Sequence, residues 1–388
     1  MTRCYARRMF SRVIPVLLLA VLLCSVLGCR HRVPVRPGEP ERRPFPVPAI
    51  DWSPRFYSAP RVSTPPVIDG KLDDAAWQGA AWTEEFVDIQ GKVAPRQPWF
   101  STRAKLAWDD EALYVAATME EPHIWATYTE RDSIIYHEND IELFLDPDGD
   151  THGYHEIEIN ALNTVWDLYL VRPYRDGAPA LHGYDWAGLK TAVSLDGTIN
   201  DPSDVDRSWS VEFSVPWKAL EGDRVEMPPL PGDRWRMNFS RVHWHLERGG
   251  DHYVKVMNPE TGKPRAEENW TWTPQGLIAM HYPEMWGILE FAAGPRSETP
   301  GPLTLREKAG WQLMQVYYAQ RHYQVEHGRW ATRASALDLP DDLELEGWSW
   351  PPRVEATGHG FTAWMVGPDG KVLRVDQEGR LKEPRPEK

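Results

Sequence analysis

From about residue 60 onward, hydrophobic and polar positions alternate in short runs broken by Gly, Pro and Asp. A period of two sends successive side chains to opposite faces of an extended strand. The runs 103–108, 112–119, 140–145, 155–160, 166–171, 208–215, 234–246 and 287–292 carry this pattern, and long helical periods are missing between them. Asp109-Asp110 and Pro147-Asp148-Gly149-Asp150 supply tight-turn chemistry. Many short strands separated by turns predict a mainly β chain, an antiparallel sandwich or barrel.

The alternation also assigns faces. Ile141, Leu143 and Leu145 share one side of their run, with Asp140 and Glu142 on the other; Ile157 and Ile159 are set against Glu156, Glu158 and Asn160. If the two runs pair, their polar sides combine into one surface of carboxylates and an amide, which is either a ligand site or a solvated outer face. In 234–246 the parity changes: Met237 and Phe239 share one phase, Val242, Trp244 and Leu246 the other. A bulge near Ser240-Arg241 would reconcile them and turn Arg241, His243 and His245 toward a ligand; an exposed basic strand is the competing expectation.

The pattern changes near residue 300. Thr304-Leu305-Arg306-Glu307 reads as a helix capping box, Ala309, Leu313, Val316 and Tyr323 follow at helical spacing, and Gly328 suits the C-terminal end. The runs 361–366 and 371–375, joined by Gly367-Pro368-Asp369-Gly370, predict a hairpin. Residues 303–388 are therefore expected to form a small α+β appendage.

The N-terminus has a different character. Arg3, Arg7, Arg8 and Arg12 precede an apolar run from Val13 to Leu27 that is too short for a membrane-spanning helix. This is the layout of an export signal over residues 1–28. It ends in Val26-Leu27-Gly28-Cys29, which resembles the bacterial lipobox, so Cys29 is the expected lipid-bearing residue and the cell envelope the expected location. Cys4, Cys24 and Cys29 are the only cysteines. Cleavage before Cys29 would leave the body without a thiol, a disulfide or a cysteine-based metal site. Six prolines between residues 30 and 50 favour an extended conformation, so 29–59 is expected to be a stalk.

Composition narrows the partners. The net charge of −14 disfavours nucleic acid, whose phosphates an acidic surface repels. The 20 tryptophans fit either a tryptophan-rich core or a surface that stacks flat ligands.

Several segments resemble carbohydrate-binding module family 9, a DOMON-like β-sandwich with immunoglobulin-like layering. They are Val67-Ile68-Asp69-Gly70-Lys71-Leu72-Asp73 with Trp77, Ala107-Trp108-Asp109-Asp110 with Leu113-Tyr114-Val115, Asn139-Asp140-Ile141-Glu142-Leu143-Phe144 with Tyr154-His155-Glu156-Ile157-Glu158, Trp209-Ser210-Val211-Glu212-Phe213, and Asn269-Trp270-Thr271-Trp272 with Met285-Trp286-Gly287. Together they span about 60–293 in the family's order. The resemblance implies a non-catalytic module that grips a polysaccharide or oligosaccharide between two aromatic rings, in polysaccharide capture or breakdown. One ring falls on Tyr136, with Glu142 and Asn160 as polar contacts; the second aligns with Met280 or His281, and Trp270 or Trp272 are substitutes. Two alternatives remain: an activity associated with glycoside hydrolases, which needs two carboxylates flanking the scissile bond, or haem b ligation of the kind some DOMON-like relatives show, to which Met280-His281 points.

A pyranose lays its axial C–H bonds on an aromatic face while its hydroxyls meet polar groups. Tyr136, Trp166, Trp270 and Trp272 are the stacking candidates. Asp146, Asp148 and Asp150 have the spacing of a calcium loop, although Ile157 stands where an EF-hand has its bidentate Glu. An acidic turn is the simpler account.

Overall fold

The alternating runs pair into two facing sheets. The computed structural model describes residues 44–220, 225–340 and 343–383. The expected export signal, Cys29 and the first part of the proline-rich stretch lie outside the described residues. No described helix is long and apolar enough to cross a membrane.

The larger sheet is ordered Phe56–Ala59, Gly287–Phe291, Arg234–His243, Asp140–Asp146, Tyr154–Asn160, Val165–Leu170, Ala180–Leu181. Glu268–Thr271 also pairs with Arg234–His243 and links it to Val87–Asp88. The pairings are antiparallel except that of Phe56–Ala59 with Gly287–Phe291. The smaller sheet is Thr102–Trp108, Ala112–Glu120, Ser208–Pro216, Lys190–Asp196, antiparallel throughout. Ile141, Leu143, Leu145, Ile157 and Ile159 meet Leu106, Val115, Val211 and Phe213 in one apolar core, as their parity predicts. The fold is a β-sandwich.

Strand Arg234–His243 corrects the expected bulge. Its register against Asp140–Asp146 is unbroken from Arg236↔Asp146 to Val242↔Asp140. Met237, Phe239, Arg241 and His243 therefore keep one phase and face the smaller sheet. Val242 lies on the opposite, outer face of the same strand, and Trp244 and Leu246 lie beyond it: the strand stops at His243, the Trp244 amide donates to Asn139 Oδ1, and Leu246–Arg248 pairs with Tyr253–Lys255.

The outer face of the large sheet is covered too. Phe144, Tyr154, Trp166, Leu168 and Leu170 pack with Ile89, Ile135, Met280 and Trp286 in a second apolar cluster. A helix, Leu305–His327, and a four-stranded sheet, Arg353–Ala356 to Leu381–Lys382, share a further core with Tyr282 and Met285 of the sandwich. The helix starts with the expected capping box of Thr304 and Glu307 and ends on Gly328 at φ 67°. The stalk expected through residue 59 is corrected by the same core. Phe45 is buried edge-on against Tyr317, Trp52 stacks on Trp311 at 5.2 Å, and Phe56–Ala59 is a strand. Prolines at 44, 46 and 48 keep this segment extended, while its aromatic residues dock it.

Candidate functional site

The site grows from one rung of the large sheet. Ser240↔Glu142, Glu142↔Glu158 and Glu158↔Trp166 are cross-strand partners, so these four residues run in line over four strands on the outer face. Glu156 lies one step along, opposite Phe144 and Leu168. Adjacent strands are about 4.8 Å apart, and oxygens of Asp140, Glu142 and Glu158 approach within 4.8 Å of one another.

Above this floor lies a cleft of about 500 Å³. Tyr136, Trp166 and His182 form its aromatic wall; Glu267, Asn269 and the Ile278–His281 segment close the other side. The Tyr136 ring is 40 % exposed and lies 6.3 Å from that of Trp166 at 26°, and Trp166 stacks on His182 at 5.4 Å and 12°. The short turn Ile135–His137 that presents Tyr136 is pinned from three directions. The Tyr136 amide donates to Glu158 Oε2 at 2.8 Å, its carbonyl accepts from Trp244 Nε1, and the His137 carbonyl accepts from Lys255 Nζ. The platform is thus held in place before any ligand arrives, which lowers the ordering cost of binding.

Electrostatics set this floor apart. Burial, reinforced by Glu267, pushes the Glu142 carboxyl up to about 7. Burial and the neighbouring Glu142 drive Asp140, Glu156 and Glu158 well above the usual carboxylate range. Glu156 Oε2 is buried there without a hydrogen-bond partner. His281 is moved the other way, to about 3, by burial and then by Arg175, and its Nδ1 is 2.7 Å from the Tyr154 hydroxyl. Tyr174 meets the His281 ring edge-on at 4.5 Å.

The sequence-derived candidates divide sharply. Tyr136, Glu142, Trp166 and His281 line the cleft together, with Met280 beside them. Asn160 lies two residues beyond Glu158 on the same strand, opposite Asp140, and is consumed locally. Its Nδ2 donates to the Tyr128 carbonyl and Glu138, and its Oδ1 accepts from the amides of Leu162 and Thr164.

Arg241, His243, Trp270 and Trp272 are corrected outright. Arg241 faces the sandwich interior, where it donates to Thr102 Oγ1, the Glu120 carbonyl and Glu121, with Trp270 5.0 Å away. His243 stacks on Trp270 at 4.9 Å. Trp270 is 1 % exposed and Trp272 0 %, the latter donating its indole N–H to Glu84. The missed parity of one strand accounts for Arg241 and His243; burial in the core accounts for the two tryptophans.

Tyr174, His182 and Glu267 were missed. They stand on irregular segments where no period announces a side chain's direction. Glu156 and Glu158 were placed on the polar face, and their shared phase with Glu142 was the available signal.

The acidic turn lies elsewhere, at the far end of Asp140–Asp146. Asp146, Asp148 and Asp150 bring oxygens within 4.8 Å of one another. Those oxygens already accept from the amides of Gly149, Thr151, Asp150 and His152, and Arg380 donates to Asp150 at 2.8 Å. Calcium takes six to eight oxygens, roughly; the turn supplies several and is partly compensated without it.

Residues 68–227 match the family described as carbohydrate family 9 binding domain-like. The resemblance expected over 60–293 is thus matched over that stretch, which holds Tyr136, Glu142, Glu156, Glu158 and Trp166. Over 161 residues the chain is 26 % identical to endo-1,4-beta-xylanase A of Thermotoga neapolitana, a match that covers 40 % of this chain and 12 % of the xylanase. The chain is also similar to a carbohydrate binding module family 9 from Caldicellulosiruptor kristjanssonii, solved in complex with cellotriose (18 % identity, 64 % of this chain and 98 % of that chain, TM-score 0.38) and with glucose (19 % identity, 64 % and 98 %, TM-score 0.39).

Proposed function

We propose that this protein binds carbohydrate in the cleft over the large sheet, and that it does so as a lipid-anchored envelope protein that captures polysaccharide without cleaving it. The observation that carries the reading is the pairing of the pinned Tyr136–Trp166 wall with a floor of hydrogen-bonding carboxyl groups. One offers a sugar an apolar face to stack on, the other offers partners for its hydroxyls. A cleft of about 500 Å³ suits one or two sugar rings. The match of residues 68–227 to a carbohydrate-binding family supports the same reading. Glu142, Glu156 and Glu158 stand side by side on one floor, whereas glycoside hydrolysis uses carboxylates on either side of the bond. That arrangement favours binding over cleavage.

The test is a glycan array followed by calorimetry on a soluble form beginning at Arg30. A start at residue 51 would remove the docked Phe45. Binding of at least one glycan, weakened in Tyr136→Ala, is expected; an intact protein that binds none would remove the carbohydrate reading.

The anchor rests on the Val26-Leu27-Gly28-Cys29 ending. Cys29→Ser should release the protein from membranes or leave it unprocessed, as fractionation and mass spectrometry would show. Unchanged processing and membrane retention would contradict the anchor.

A further inference from the structure

A neutral sugar leaves the charge of the cleft without a partner. Four carboxyl groups line it, Glu142, Glu156, Glu158 and Glu267, and no Lys or Arg lines it among the described residues. The nearby cations are engaged elsewhere. Lys255 donates to the His137 carbonyl and sits 3.3 Å over the Trp244 ring. Arg175 is held by Glu284 and Asp176, and Arg241 by Glu121 on the opposite face of the sheet. Of the histidines, His281 is kept neutral and His182 is exposed on the rim against Trp166. The remaining titratable neighbours, Tyr136, Tyr174, Glu138 and Asp140, add no positive charge.

Burying several carboxylates together without a counter-charge is costly, several kcal/mol for each ion. The free protein avoids the cost by keeping protons on the floor, which is the physical content of the raised carboxyl pKa values. A ligand that brings a positive charge would replace those protons.

A second, independent group restricts what that ligand is. The Tyr136 ring stands over the same carboxyl groups, 40 % exposed and held by the turn that presents it. A ring fixed in this way offers a flat apolar face to stack on. A bare polyamine or a metal ion would leave that face idle. The ligand that answers both the floor and the wall has an ammonium and a flat apolar face.

Resting on the carbohydrate reading above, we propose that the cleft selects amino sugars with a free, protonated amine, glucosamine and its oligomers, over neutral sugars. The ammonium sits on the Glu142–Glu158 floor and the ring stacks on Tyr136. Because burial raises the carboxyl groups of the floor, a cation that pairs with them drives protons off. No covalent bond changes.

The test is isothermal titration at pH 6 of the soluble form beginning at Arg30 with four probes: a glucosamine tetramer, its N-acetylated counterpart, cellotetraose and spermine. The free-amine tetramer is expected to bind at least tenfold tighter than each of the others. Titration in two buffers of different ionisation enthalpy should show net proton release. Glu142→Gln and, on the rim, Glu267→Gln should each lose the amine preference with a melting temperature no lower than the native protein's, while Tyr136→Ala weakens all three sugars alike. Cellotetraose or the N-acetylated tetramer binding as tightly as the free amine would overturn the amine selection and leave the carbohydrate reading standing. Spermine binding as tightly as the tetramer would reduce the effect to general attraction by an acidic protein and overturn it. Binding of none of these sugars, nor of any glycan on the array, would overturn both.

Discussion

Two groups of buried acids lie on the outer side of the large sheet, and they are treated in opposite ways. Where the C-terminal helix docks, Arg175 grips Glu284 with both terminal nitrogens, at 2.6 and 3.0 Å, and reaches Asp176 through Nε at 3.1 Å. Arg321, Tyr317 and Tyr318 complete the hydrogen bonding, and Arg175 lies 4.2 Å over the Tyr282 ring. The acids of the cleft are as deeply buried and have no guanidinium. Compensation is complete where the chain joins its own parts, and withheld where a ligand can supply it. Burial of charge alone does not mark a functional site; burial without a matching charge marks a candidate for one.

The sharpest way to break the comparison is to remove compensation where it is complete. Arg175→Ala leaves Glu284 buried without its guanidinium and Asp176 with Arg321 as its one cation, and is expected to cost about 3–5 kcal/mol. The C-terminal helix should lose its protection from hydrogen exchange along with this stability. A variant that melts like the native protein would show that the cluster is not what secures the helix.

The cleft should respond in the reverse sense to losing an acid. An unfolded Glu titrates near 4.5 and folded Glu142 near 7. Between these values the folded state holds a proton that the unfolded state has lost. The stability this confers is fully present below about 4.5 and is gone once the pH has risen through 7. Compared with Glu142→Gln, the native protein should therefore lose ground as pH rises across that window, at up to about 1.4 kcal/mol per pH unit. Chemical denaturation of both proteins at intervals between pH 4.5 and 8 measures the gap; a constant gap would mean that Glu142 titrates normally.

The smallest effect is expected at the acidic turn. We propose calcium as its ion, with Asp146, Asp148 and Asp150 supplying oxygens. Arg380 already compensates part of the charge, so chelation should lower the melting temperature by only a few degrees, with calcium restoring it. No shift in either direction would leave an acidic turn tied to Arg380.

The sandwich was legible because its core strands alternate cleanly. Ile141, Leu143 and Ile157 could face only one way once paired. The site was legible on that same sheet, where Glu142, Glu156 and Glu158 share a phase. It was illegible where direction depends on chain ends and loops. Val242, Trp244 and Leu246 looked like one strand continuing because nothing in their types shows that the strand ends at His243. His182 and Tyr174 follow no period. The tryptophans misled for a related reason: indole suits a sugar platform and a sandwich core equally well, and only the pairing of Trp270 with Arg241 across strands decides for the core. Nor could alternation reveal that the outer face is covered, since part of its cover, Met280 and Trp286, comes from more than a hundred residues further along the chain.

If the Tyr136 ring is a platform and the Trp270 ring is core, Tyr136→Ala and Trp270→Ala must differ in a paired measurement. Affinity for the best glycan and melting temperature are taken on the same samples. Tyr136→Ala should bind roughly ten- to a hundredfold more weakly, the loss of about 1–3 kcal/mol of stacking, and melt with the native protein. Trp270→Ala should cost about 3–5 kcal/mol of stability. If Tyr136→Ala instead binds as the native protein does, or loses binding only together with its fold, the cleft is not the site of carbohydrate recognition.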